Sequence, residues 1–245
     1  LDGTIVEQYF AWLFNLCKGN MGNSVINHQP VASQIMAKLP ATLLLMGTSF
    51  VLSILVAIPL GLISGMKKNK WIDQIISVYS YVGISIPSFW FALMLIVVFS
   101  LKMHLFPTNG MRTVGVNTVL DLIWHLVLPC VVLSVDNIAV FTRYIRSNTI
   151  TQLEEEYVLT AKAKGVTRKN IMRGHVLKNC LLPIITIAGM NLASLVTGSF
   201  IIESVFGWPG MGTLGMSAIN SRDYPMIMGF TMLSCLILII GNLLA

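Results

Sequence analysis

Few side chains in this sequence could do covalent or acid–base chemistry, and their spacing assembles no catalytic set. No GxxxxGK[ST] phosphate loop occurs, so ATP is not expected to bind this chain. HExxH and paired-carboxylate spacings are missing, and Ser/His pairs occur without a supporting motif, so no enzyme activity is expected. Cys17, Cys130, Cys180 and Cys235 lack CxxC spacing and read as inert small hydrophobes. His28, His104 and His125 are scattered among 14 methionines, and no metal site is expected. What remains are ionisable residues in unusual places. Asp136 lies inside an apolar run, where a carboxylate is expensive and by default marks function. It fits a structural hydrogen bond or a water-filled vestibule as well as a substrate or gating role. Glu203 closes another apolar run in IIESVF and reads as an interfacial polar end. The stretch EYVLTAKAKGVTRKN, residues 156–170, is charged and helix-forming between two such runs.

The elements that must position these residues are membrane spans. Hydrophobic residues make up 55% of the chain and charged ones 11%, against roughly 25% charged in soluble domains. The chain is therefore expected to be an all-α integral membrane protein, a polytopic helical bundle. Runs of about 20 apolar residues predict five spans: Ala41–Gly65, Gln74–Leu101 with a kink at Pro87, Val119–Thr142, Asn179–Glu203 and Pro225–Ala245. Lys67, Lys68 and Lys70 follow the first span; Arg143, Arg146, Lys162, Lys164, Arg168, Lys169, Arg173 and Lys178 follow the third. These two loops hold most of the 16 basic residues and so are expected on the cytoplasmic side. Residues 1–40 then lie outside, with IVEQYFAWLFNL as an aromatic amphipathic stretch suited to the interface. Residues 41–245 form the membrane domain, with a cytoplasmic loop at about 143–178.

Within that loop, Glu154 to Lys164 are helix formers and Gly165 supplies a left-handed stop. Thr167 can cap a second helix running through Ile171, His175 and Asn179 towards Pro183. On the first helix Tyr157, Ala161 and Lys164 share a face, and Ala161 and Ala163 are small enough for another backbone to approach. Such a helix fits a docking knob or a basic loop held near anionic headgroups; the residues leave both open. The GWPGMG turn, Gly207 to Gly212, reads as a tight loop.

The stretch EYVLTAKAKGVTRKNIMRGHVLKNCLLPIIT resembles the EAA loop of permease subunits in binding-protein-dependent ABC importers. Its matching positions are Glu156, Ala161, Ala163, Gly165, Ile171, His175, Asn179, Leu182 and Pro183. GNMGNSVINHQPV, LPATLLL, IPSFWFALMLIVVFS, LFPTNGM and IIESVFGWPGMGTLGMSAINSRDYPMIMG are similar to the B-type permease of the dipeptide, oligopeptide and nickel group. The resemblance implies six spans, one preceding Leu1 and the last cut at Ala245. It implies a cell (inner) membrane protein paired with a second permease subunit, two ATPase subunits that hold ATP and Mg, and an extracytoplasmic solute-binding protein. The loop would be the ATPase-coupling helix: Gly165 sets its turn, Ala161 and Ala163 its close packing, and Glu156 and Lys164 its rim contacts, with Tyr157 on the same helix. Asp136 and Glu203 become candidates for the translocation path or gate, and Trp208, Pro209 and Gly210 for contact with the binding protein. Peptides are the expected cargo and nickel or a metal chelate the alternative. A proton-coupled secondary transporter, with Asp136 as relay, is the rival of another class.

Overall fold

The computed structural model describes residues 4–181, 187, 195 and 198–244, with the backbone only of residues 168, 173, 175, 241 and 244. Among them the chain is helical, apart from turns and one isolated antiparallel bridge, Asn23 to Pro30. Helix α1, Ile5–Cys17, opens on a reciprocal cap in which Thr4 Oγ1 accepts from the Glu7 N–H and Glu7 accepts from the Thr4 N–H. None of its residues is buried. Helix α2, Val31–Met66, begins behind Pro30, which cannot continue a helix backwards. It therefore starts inside the segment expected to lie outside the membrane, well before Ala41.

Helix α3, Trp71–Ser85, and α4, Ser88–Leu95, which runs on as a π-helix through Lys102, were expected as one kinked span. The two are bent by 99°. Pro87 has no N–H to donate and holds Ile86 extended at φ −84, ψ 122, so the ladder breaks rather than kinks. Helix α5, Val119–Glu154, passes the expected end at Thr142 and carries Arg143 and Arg146 on its own surface. By length and apolarity α2 and α5 can each cross a membrane, and the bent α3–α4 pair makes a third crossing if counted as one span. The expected span Asn179–Glu203 lies largely outside the described residues. Short helices α6 (Glu156–Ala163), α7 (Arg168–Ile171), α8 (Phe200–Val205) and α9 (Met211–Asn220) precede α10, Tyr224–Leu244.

The seam between α2 and α5 organises the bundle. Ser49, Ser53, Ala57, Gly61 and Gly65 recur every fourth residue of α2 and are all buried. Against them α5 sets Ser134, Ile138, Phe141, Ile145 and Thr149. A Cβ on Gly61 would lie 2.5 Å from Ile145 Cβ, and one on Gly65 2.6 Å from Thr149 Cβ, so the two backbones approach as only glycine permits. Serines add cross-links: Ser134 Oγ donates to the Ser49 carbonyl at 3.1 Å, and Ser53 Oγ to the Ser134 carbonyl at 3.3 Å. Asp223 pins the end of the bundle where α2 begins, accepting from Ser24 Oγ and from the Val25 and Met226 N–H groups. That ties the loop before α2 to the start of α10.

Gly61→Leu is expected to destabilise the inserted protein by about 1–3 kcal/mol through overpacking, read as a lower thermal midpoint in detergent. Gly47→Ala on the same helix, where an added Cβ meets nothing within 4 Å, should leave the midpoint unchanged.

Candidate functional site

The loop helix is separated from α5 by Glu155, whose extended backbone (ψ 149) turns the chain. The helix therefore starts at Glu156 and not at Glu154, with Glu156 in the first turn where the helix dipole favours an acid. Its end is a Schellman motif: the Gly165 N–H donates to the Lys162 carbonyl at 3.0 Å and the Val166 N–H to the Ala161 carbonyl at 3.1 Å. Gly165 sits at φ +76, and a Cβ there would meet nothing, so the demand on this glycine is conformational and not steric.

The two faces of α6 have different partners. Val158 and Ala161 pack with Ile171, Met172, Val176 and Cys180, and against Leu62 and Met66 of α2. Tyr157 leans on the same cluster and donates to Gln152 Oε1 at 2.8 Å. Outward point Glu156, Leu159, Thr160, Lys162, Ala163 and Lys164. The shared face expected for Tyr157, Ala161 and Lys164 is thus split, and only Ala163 of the two alanines is open to a partner. Ala161 lies one turn on from Val158 and Tyr157, and its small side chain lets α6 settle on its own chain. Ile171 is buried and Asn179 exposed; the His175 side chain, Leu182 and Pro183 lie outside the described residues.

Behind α6 stands a clamp with no counterpart among the sequence expectations. Asp73 is buried at the start of α3. It accepts from Arg146 Nε at 2.6 Å and Nη2 at 2.8 Å, from Ser64 Oγ at 2.5 Å and from the Asn69 N–H at 2.9 Å. One carboxylate thereby joins α2, the turn, α3 and α5. Its signal was a lone acid in the lysine-rich run KKNKWID.

At the far end Glu203 is fully buried and acts as a cap supplied from another helix. Its Oε2 accepts from the N–H groups of Gly212 at 2.7 Å and Thr213 at 3.2 Å, in the first turn of α9. Thr42 of α2 donates to Oε1 at 2.9 Å and accepts from the Met211 N–H at 2.6 Å. Gly198, Gly210 and Gly212 make room, since a Cβ on each would fall within 3 Å of the carboxylate. Glu203 is therefore neither an exposed interfacial end nor open to a path. Trp208 is buried as well, its indole N–H donating to the Ala41 carbonyl at 2.8 Å. Of the turn residues expected to meet a binding protein, Trp208 and Gly210 are buried and Pro209 half-buried, because the turn is folded onto α2.

Asp136, by contrast, is exposed halfway along α5, in a small cleft with Gly83, Ile86, Ser88 and Phe91 at the α3–α4 break. Its helix face continues through Val140, Arg143, Tyr144 and Ser147, which with Ser77, Tyr81 and Ile84 line a groove of about 630 Å3. Arg143 lies over the Tyr81 ring at 5.0 Å.

The profile of the family described as "Binding-protein-dependent transport system inner membrane component" matches residues 57–245. The chain belongs to this family. The permease is 42% identical over 240 residues to the oligopeptide transport system permease protein AppB of Bacillus subtilis, covering 97% of this chain and 76% of that one. It is 39% identical over 246 residues to a putative peptide permease of Brucella suis, covering 100% and 77%. The glutathione transport system permease protein GsiC of Escherichia coli matches at 33% over 244 residues, covering 99% and 76%. Among solved structures, inward-facing MetNI methionine ABC transporter matches with a TM-score of 0.65 at 18% identity, over 86% of this chain and 94% of that one. An amino acid ABC transporter matches with a TM-score of 0.63 at 17% identity, over 86% and 91%. The fold is thus that of ABC transporter permeases, and the protein is a multi-pass membrane permease subunit of an ABC importer.

Glu203→Ala is expected to lower stability by about 1–3 kcal/mol for each buried donor left unpaired, seen as an earlier thermal midpoint in detergent. Ser204→Ala, exposed on the same helix, should change it by no more than about 0.5 kcal/mol.

Proposed function

We propose that the permease translocates di- or oligopeptides handed over by an extracytoplasmic binding protein, as one half of a heterodimer driven by two separate ATPase subunits. ATP and Mg bind those subunits, and this chain holds neither. The observation that carries the reading is the division of α6: an inner face merged with the ends of α2 and α5, and an outer face of Leu159, Ala163 and Lys164 free for a partner among the described residues. A push on such a helix moves two spans, which suits a two-state transporter biased by ATPase closure. Peptide cargo is supported by relatives named for oligopeptides, peptides and glutathione. No specific observation favours nickel. Membership of the binding-protein-dependent transport family supports this reading over a proton-driven secondary transporter.

By the positive-inside rule the loops bearing Lys67–Lys70 and α6 face the cytoplasm, and α1 lies outside. The α5 face from Asp136 to Ser147 lines the translocation path. An exposed carboxylate and guanidinium within a spanning helix are too costly to turn towards lipid.

Gly165→Val is expected to abolish uptake while the permease remains at normal level in the membrane, because a β-branched residue resists the left-handed conformation. Gly165→Asn, which tolerates it, should keep most uptake; equal uptake by both variants contradicts the coupling role. Uptake of a labelled dipeptide, competed by other peptides and not by nickel ion, tests the cargo. Uptake of nickel alone overturns it.

A further inference from the structure

We infer that the permease carries a built site for an anionic phospholipid at the joined ends of α2, α3 and α7. A cavity of about 570 Å3 there has a floor of Leu62, Met66, Met172 and Leu177 and a rim of Lys67, Lys70 and Lys169. The apolar floor suits the first carbons of acyl chains, and three ammonium groups suit a phosphodiester headgroup. Lys68, in the same turn, is turned away into an ion pair with Glu154 at 3.0 Å. The rim lysines have no carboxylate partner among the described residues, so their charge is left for a ligand. Their placement is fixed: Lys67 closes α2, Lys70 precedes the first residue of α3, and the Asn69 N–H between them is tied to Asp73.

The level of the site points to lipid. Trp71, next to Lys70, is 67% exposed, and an exposed tryptophan at a span end belongs at the headgroup boundary. Basic pockets between span ends select anionic headgroups, each lysine contributing a few-fold in affinity. No residue of α6 lines the cavity, although Val158 and Ala161 pack in the same cluster as Met66 and Met172. The site is therefore distinct from the outer face assigned to the ATPase, and a bound lipid would brace the core beneath α6. The inference needs membrane insertion, and neither the cargo nor the coupling role.

The test is native mass spectrometry of the whole transporter complex, purified through a tag on this permease, with phosphatidylglycerol and phosphatidylcholine, alongside thermal midpoints with each lipid. Wild type is expected to retain phosphatidylglycerol preferentially and to be stabilised by it. Combined Lys67→Gln, Lys70→Gln and Lys169→Gln should cost roughly a hundredfold in that affinity, at roughly fivefold per lysine. Lys18→Gln, Lys38→Gln and Lys102→Gln together, with the same loss of charge, should leave it intact. Leu177→Trp, which fills the floor and keeps the lysines, should also lose the lipid. If the triple variant is poorly folded, the three single substitutions decide, each expected to lose a part. The site is overturned if the rim variants retain phosphatidylglycerol as wild type does, if the distant triple loses it equally, or if Leu177→Trp has no effect. It is likewise overturned if glycerol phosphate displaces the lipid stoichiometrically, which marks a free-anion site, or if rim substitution releases the ATPase and not the lipid.

Discussion

The close approach of α2 and α5 is the constraint on which the rest of this permease rests. In a bilayer, apolar side chains gain little by leaving lipid for one another, so helices associate where small residues allow dense packing. The stripe from Ser49 to Gly65 provides that surface on α2. Because Ile145 and Thr149 seat against Gly61 and Gly65, Arg146 between them emerges within reach of Asp73, which also accepts from Ser64. The clamp follows from the seam, and α6 follows from the clamp, since α5 reaches Glu154 as one unbroken helix.

Polar contacts in this chain cluster at helix ends and act as joints. Asp73 fixes the end that carries the loop helix. Asp223 and Glu203 fix the other, each by accepting from backbone N–H groups at the start of a helix. A buried carboxylate is costly unless its lone pairs are used, and at Glu203 three donors from two elements use them. The middle of the bundle is left to the small-residue stripe of α2 packed on Phe141 and Ile145 of α5. Asp136 departs from this pattern, being exposed at the break between α3 and α4.

Elements written in local sequence were legible, and elements that depend on distant partners were not. The apolar runs at 41–65 and 119–142 announced α2 and α5, and Gly165 announced its turn because a left-handed residue after helix formers has a local signature. The extension of α5 beyond Thr142 escaped because residues 143–154 are mostly polar, and their partners, Gly61 and Gly65 of α2 and Asp73 of α3, are distant in sequence. Pro87 was read as a kink, yet whether a proline bends or breaks a span depends on its neighbours. Glu203 looked like a polar end because Thr42 lies 161 residues away, and the Arg146 partner of Asp73 lies 73 residues away. Helical spacing placed Ala161 and Tyr157 together but could not say that their face turns inward.

The measurement that bears most directly on the divided loop helix is cysteine cross-linking to the ATPase subunit proposed as its partner. In a background with Cys17→Ser and Cys235→Ser, which removes the exposed thiols, Ala163→Cys is compared with Ala161→Cys. Cross-linking at Ala163, responsive to nucleotide, and none at Ala161 is the expected result. Equal cross-linking at both positions, or at Ala161 alone, would mean that the inner face of α6 is not held by α2 and α5 and that coupling does not run through that packing.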